Sequence, residues 1–155
     1  MTPSIEQARK AGITHRVHEY KHDSSTESYG AEAAQKLAIP KDKVFKTLVV
    51  NLDNKQLGIG VIPVSSMLNM KLIARAAGAK KAKMADPLDV ERSTGYVLGG
   101  VSPLGQKKRL KTFVDTSAQR NSTIYVSAGR RGLEIELSPS DLVTLVDGEF
   151  APLCQ

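Results

Sequence analysis

Three stretches of this 155-residue chain carry residue types that can do chemistry. The first holds Lys46. Period two along residues 44 to 52 puts Val44, Lys46, Leu48, Val50 and Leu52 on one face of a strand, with Phe45, Thr47 and Val49 on the other, so an ammonium interrupts an apolar stripe. Such a lysine reaches water along its stem, pairs with an acid or serves a site; an edge strand carrying an inward-pointing charge is the structural alternative. The second stretch is GYVLGGVSPLG, residues 95 to 105, with Gly95, Gly99, Gly100 and Gly105 around Val101 and Ser102. Glycines let a backbone approach a ligand and aim several N–H groups at one oxygen, as oxyanion stabilisation or phosphate binding requires. A bend at a sheet corner is the alternative. The third is Ala128-Gly129-Arg130-Arg131-Gly132, where two arginines can clamp a phosphate, or simply project from a hairpin turn.

Other chemistries are disfavoured. The chain contains neither a P-loop, nor G-x-G-x-x-G, nor G-x-S-x-G. His15, His18 and His22 fall within eight residues, but an extended segment would point the first two to opposite faces, so they are expected to be solvated and no metal or cofactor is expected. Cys154 lies next to the end of the chain, where a frayed terminus would lack the rigid electropositive setting of a reactive thiolate. A lone cysteine also excludes a disulfide scaffold and suggests a reducing compartment. No apolar run suggests a signal peptide or a membrane span, so a cytoplasmic protein with no membrane partner is expected.

The net charge is +6, and it is local: residues 71 to 111 hold ten Lys or Arg against three acids. Two clusters stand out, Lys80, Lys81 and Lys83, then Lys107, Lys108, Arg109 and Lys111. A local excess suggests a polyanionic partner, with a solvated lysine face as the alternative. Three Phe, four Tyr and no Trp leave few platforms for stacking bases, and no DNA-binding motif accompanies the charge, so DNA is not expected as a partner.

The elements that must position these residues follow from local signals. Thr2-Pro3 starts a short helix that Gly12 ends, residues 15 to 20 are extended, and Ser28 opens a second helix of about three turns before Pro40. Residues 44 to 52 and 56 to 62 form a hairpin turning at Asp53-Asn54. Helices follow from Asn69 to Ala77, from Asp86-Pro87, and from Ser138; further strands are predicted at 96 to 101, 112 to 115, 123 to 127 and 133 to 137. Strands and helices without strict alternation predict one α+β domain over residues 1 to 155, with a curled, mixed, mainly antiparallel sheet flanked by helices.

Taken together, VFKTLVV, GIGVIPVSSMLNMKLIARAAGAKKAKMA, GYVLGGVSPLG and SAGRRGLEIELSPSDL resemble the YbaK family of aminoacyl-tRNA deacylases, relatives of the editing domain inserted in bacterial prolyl-tRNA synthetases. The resemblance covers nearly the whole chain. It implies that Lys46 is the functional lysine, that Gly99 and Pro103 bound a G-x-x-x-P loop, and that Tyr20, Phe45, Thr47, Gly129 and Arg130 line a cleft for the aminoacylated 3′-terminal adenosine. Within that frame, the N–H groups of Gly100, Val101 and Ser102 would stabilise the developing oxyanion. Both lysine clusters would contact the acceptor stem, and prolyl-tRNA synthetase would be a transient partner supplying tRNA identity. The implied activity is removal of cysteine from mischarged Cys-tRNA(Pro), extending to Cys-tRNA(Cys), either with attack by the substrate's own thiolate or by water. A non-catalytic tRNA- or synthetase-binding module, and a deacylase for another small residue such as alanine, are the alternatives.

Overall fold

The computed structural model describes residues 1–25 and 28–155. Among them the elements run α1 (Pro3–Ala11), β1 (His15–Glu19), α2 (Tyr29–Lys36), β2 (Phe45–Leu52), β3 (Gln56–Pro63), α3 (Met70–Ala77), β4 (Ala82–Met84), α4 (Pro87–Thr94), β5 (Lys111–Asp115), β6 (Ile124–Arg130), β7 (Leu133–Leu137), α5 (Pro139–Val146) and β8 (Glu149–Ala151). The helix starts are written in the sequence. Thr2, Asn69 and Ser138 each accept a backbone N–H from three residues on, from Ile5, Leu72 and Asp141 respectively. Asp53 and Asn54, with φ of +55° and +56°, and Lys55 make the three-residue connection that joins β2 to β3.

The expected α+β class is the one found, with the strands divided between two sheets. One sheet has the order β1-β7-β6 and is antiparallel throughout. The other, β4-β2-β3-β5-β8, is mixed: β2 pairs antiparallel with β3 and β4, whereas β3–β5 and β5–β8 are parallel. A parallel bridge between Val44 and Tyr125 ties the sheets together just before β2. Phe45 and Val49 of β2, with Ile59 and Val61 of β3, pack against Val126, Ala128 and Ile135 of the smaller sheet in one core. Val50 and Leu52 face the other way, toward Ile73 of α3, Phe113 and Leu153. The alternation expected for β2 therefore places Lys46 on the α3 side and Thr47 on the sheet-to-sheet side.

Several expectations are corrected. Residues 96 to 101 form a turn and loop instead of a strand, because the Tyr96 hydroxyl donates to the Leu104 carbonyl at 2.7 Å and the Gly100 N–H donates to the Val97 carbonyl at 3.0 Å, which folds the segment back on itself. The second helix is shorter than three turns, eight residues in α2. The short β4 and β8 carry too few residues to show a period of their own. The C-terminus is not frayed: Leu153 is buried, its N–H donates to Asp115 Oδ1 at 2.8 Å, and Cys154 bridges to Leu68. No helix among the described residues is long and apolar enough to cross a membrane.

Candidate active site

The start of β2, the end of β6 and the β7 strand enclose a cavity of about 210 Å³, closed by Tyr20, the start of α2 and Leu98, Gly99 and Val101. Of the residues singled out in the sequence, it gathers Tyr20, Phe45, Lys46, Thr47, Gly99, Val101 and Arg130. It also brings in residues that sequence reasoning did not place there, among them Tyr29, Ser127, Arg131 and Glu134.

Lys46 is half-buried, and its ammonium makes no hydrogen bond or ion pair among the described residues. β4 covers β2 only from Val50 onward, so the Lys46 stretch has an open flank that a longer β4 would have filled. Glu134 also lines the cavity, 6% exposed, and its carboxyl is pushed up to about 8 by burial. Tyr20 is pushed up to about 12, first by burial and then by the neighbouring Glu134. The Thr47 hydroxyl is buried and has no partner among the described residues. A buried acid and a buried hydroxyl thus keep their polar groups unspent in the lining of one cavity that also includes Lys46, an arrangement that costs stability and is typical of a functional site.

Glu134 escaped the sequence reading because Leu133, Ile135 and Leu137 alternate with Glu134 and Glu136, the pattern of a strand with one solvated face. Glu136 fits that pattern, accepting from Thr123 and contacting His18 Nε2 at 2.9 Å. Glu134 does not, because the segment around Tyr20 and the start of β2 cover that end of β7.

The glycine-rich segment divides. Gly99, with φ of +87°, turns the chain at the rim; a Cβ there would lie 2.5 Å from Tyr29 and 2.7 Å from Arg131. Val101 lines the cavity, but Gly100, Ser102 and Pro103 do not, and the Gly100 N–H is already spent on Val97. The expectation of a three-amide oxyanion hole is corrected accordingly. Ser102 is fully buried and donates to Ser4 Oγ of α1 at 2.8 Å, and the Gly105 N–H donates to Gln7 at 2.7 Å, so this half of the loop is pinned to α1. Pro103 faces a separate cavity of about 470 Å³ beside α1. Gly129, with φ of +112°, is likewise outside the site: a Cβ there would lie 2.8 Å from the Tyr96 ring, so this glycine serves packing.

The histidines are not freely solvated. His15 Nδ1 lies 2.8 Å from the Ile13 carbonyl, His18 meets Glu136, and His22 Nδ1 lies 2.7 Å from Glu32. Among the described residues no group of three or more His, Cys, Asp or Glu converges as a metal site. The Cys154 thiol is pushed up to about 11 by burial and by Asp115, which makes it a poor nucleophile.

The two basic clusters occupy different places. Lys80, Lys81 and Lys83 join Lys55 around a cavity of about 430 Å³ at the far end of β2. Asn51 of β2 pairs with Lys83 of β4, five residues and about 17 Å along the strand from Lys46. Asp53, the acid at this end, accepts the N–H groups of Lys80 and Lys81, which hold its carboxyl below the usual range. None of the four lysines has an ion pair among the described residues. In the other cluster, Arg109 pairs with Asp147 at 3.8 Å and Lys111 Nζ lies 3.5 Å from the Ala77 carbonyl. Lys107, Lys108 and Arg109 line the cavity beside α1, with Glu6.

Comparison with known proteins gives this geometry a context. The model of the aminoacyl-tRNA editing domain family matches residues 24–145. A candidate Cys-tRNA(Pro)/Cys-tRNA(Cys) deacylase of Enterococcus faecalis, EbsC, is 41% identical over 136 residues, covering 87% of this chain and 83% of that protein. A proline–tRNA ligase of Shouchella clausii is 29% identical over 131 residues, 78% of this chain but 23% of the ligase. Among solved structures, the hypothetical protein APE2540 superposes with a TM-score of 0.88 at 27% identity, covering 99% of both chains. A candidate trans-editing enzyme for prolyl-tRNA synthetase superposes with a TM-score of 0.84 over 100% of this chain and 99% of that one; at 22% identity the likeness is one of fold.

Proposed function

The chain belongs to the aminoacyl-tRNA editing domain family and is an aminoacyl-tRNA deacylase, and we propose that its substrate is a tRNA mischarged with cysteine, Cys-tRNA(Pro) foremost. The observation that carries the site assignment is one small cavity lined by both Lys46 and Glu134, whose side chains have no hydrogen-bonding partner among the described residues. An α-aminoacyl ester offers an ammonium for Glu134 and an electron-rich carbonyl and ribose edge for Lys46. An acid and an ammonium in the lining of one cavity orient it, and burial strengthens the contact with Glu134. The substrate's ammonium then takes over the stabilisation of the Glu134 carboxylate that water cannot provide.

Thiol assistance fits a cavity whose described lining holds no cysteine and no histidine to activate its hydroxyls. The substrate thiolate attacks its own ester carbonyl, a carbon–sulfur bond forms, the bond from the carbonyl carbon to the ribose oxygen breaks, and the ribose oxygen takes up the proton the thiol gave up. The product is a cyclic thioester and free tRNA. Lys46 and the backbone at Val101 would face the developing negative charge, and the pocket would hold the reacting atoms together and exclude water. Water attack on the same carbonyl is the competing route.

Phosphate contact is assigned to Lys55, Lys80, Lys81 and Lys83 ahead of Lys107, Lys108, Arg109 and Lys111, because among the described residues none of the first four is ion-paired whereas Arg109 pairs with Asp147 and Lys111 reaches a backbone carbonyl. Phosphate contacts carry no tRNA identity. A transient complex with prolyl-tRNA synthetase would supply it, consistent with the similar stretch found within a proline–tRNA ligase. Action on charged tRNA supports a cytoplasmic setting.

The test is to incubate the protein and its Lys46→Ala variant with Cys-tRNA(Pro), Ala-tRNA(Pro) and Pro-tRNA(Pro) and follow loss of the ester. Rapid loss from the cysteinyl substrate, at least 100-fold faster than in the variant and from the alanyl substrate, is expected. Equal rates on the cysteinyl and alanyl substrates would overturn thiol assistance, and equal rates in the variant would overturn the role of Lys46.

A further inference from the structure

The cavity of about 210 Å³ is smaller than the roughly 300–1,000 Å³ of pockets that enclose a whole small ligand. It has room for a small aminoacyl ester. A nucleoside joined to that ester must rest outside, at the rim, and the described residues of the rim carry an organised flat surface.

That surface is Arg131. Its guanidinium carbon lies 3.8 Å from the Tyr29 ring centroid, a stacking distance, and its Nη2 donates to the Leu98 carbonyl at 3.3 Å. The side chain therefore links three segments that all line the cavity: the start of α2, the turn at Leu98 and Gly99, and the β6–β7 turn. Gly99 is a glycine because a Cβ would enter the space that Tyr29 and Arg131 share. Tyr29 is fixed from a second direction by the His22 ring, centroid to centroid 5.8 Å, and His22 is held by Glu32. Arg131 is nonetheless exposed, so the guanidinium face turned away from Tyr29 is open. Beside it stand Val97 and Leu98, 56% and 50% exposed, two apolar side chains with no core to cover. The adjacent Arg130 is used differently, lying 4.0 Å from Glu19.

A planar cation that is already desolvated on one face, immobilised by two contacts and bordered by exposed apolar groups is a platform for a nucleobase. We propose that Arg131, backed by Tyr29, is the surface on which the 3′-terminal base of the tRNA stacks. This assignment rests on the aminoacyl-tRNA reading of the cavity. Because every base presents a π-face, the platform tolerates base identity, and because the stack needs a plane, lysine cannot replace arginine.

The experiment uses an acceptor-stem minihelix with 2-aminopurine as its terminal base, whose emission changes on stacking. It compares the intact protein with Arg131→Ala and Arg131→Lys, both checked for unchanged thermal unfolding. The expected result is an emission change with the intact protein that both variants lose, together with minihelix affinity weakened roughly 5- to 150-fold, the size of one base stack. An abasic terminal nucleotide should weaken the intact protein by a similar factor and leave Arg131→Ala unaffected. Retention of the emission change in either variant, or equal affinity of the intact protein for abasic and normal ends, would overturn the platform. The readout needs no turnover: absent deacylation with stacking intact would fault the deacylase reading alone, and deacylation without stacking would fault the platform alone.

Discussion

The Ser102 hydroxyl donates to the Ser4 hydroxyl at 2.8 Å, with both residues 0% exposed. Ser102 also accepts the Leu104 N–H at 3.2 Å, so its oxygen closes the loop as well as docking it on α1. A serine in a glycine-rich segment that suggests catalysis is here a buried strut.

Ser102→Ala should therefore cost stability and spare chemistry. Removing the oxygen strands the Ser4 hydroxyl and the Leu104 N–H, worth on the order of 1–3 kcal/mol. Urea unfolding should show that loss, while kcat/KM for deacylation at a temperature well below the transition stays within about twofold. A collapse of kcat with unchanged unfolding would return Ser102 to the chemistry.

Glu134→Gln tests the buried acid by pH. With its carboxyl raised from 4.5 to about 8, the folded state holds a proton that the unfolded chain has released above pH 4.5. Stability from this group is present below pH 4.5 and is lost as pH rises through 8, by on the order of a few kcal/mol. The glutamine variant should lack that decline and be the more stable protein at pH 9. In the intact enzyme, a substrate ammonium selects the carboxylate, so kcat/KM should climb between pH 6 and 8; the variant should be slow and flat. Parallel unfolding profiles for the two proteins would refute the assignment.

Lys46→Met should separate function from stability. Methionine continues the apolar stripe of Leu48, Val50 and Leu52 without a charge to keep solvated, so the thermal midpoint should hold or rise while deacylation falls at least 100-fold. A fall in the midpoint would mean that the ammonium has a structural partner.

Replacing Lys55, Lys80, Lys81 and Lys83 by Gln should weaken tRNA binding and flatten its dependence on salt, each lost phosphate contact reducing the slope of log K against log salt by about 0.7 to 0.9. Replacing Lys107 and Lys108 should do less. An aminoacyl-adenosine analogue without a stem should not sense the first change. A larger effect from the second pair would move the stem to the α1 side.

The legible part of this protein was the local part. Thr2, Asn69 and Ser138 start helices because a side-chain oxygen and an N–H three residues away need nothing else, and Asp53-Asn54 turns a hairpin for the same reason. Lys46 stood out because period two is a property of one strand. The strand expected at 96 to 101 was misread because aromatic and branched residues there resemble a strand until Tyr96 finds Leu104.

The amino-acid sequence by itself determined the α+β class, the family, and the lysine in the apolar stripe, all carried by short-range pattern or by motifs in chain order. Only the tertiary structure decided which polar groups stay unspent. Glu134 is a buried acid because the Tyr20 segment and the start of β2 cover one end of β7, and Arg131 is a platform because Tyr29 and Leu98 arrive from 102 and 33 residues away. Desolvation and stacking depend on what else occupies the surrounding volume, and neighbours that distant in the chain leave no period or spacing by which the sequence could announce them.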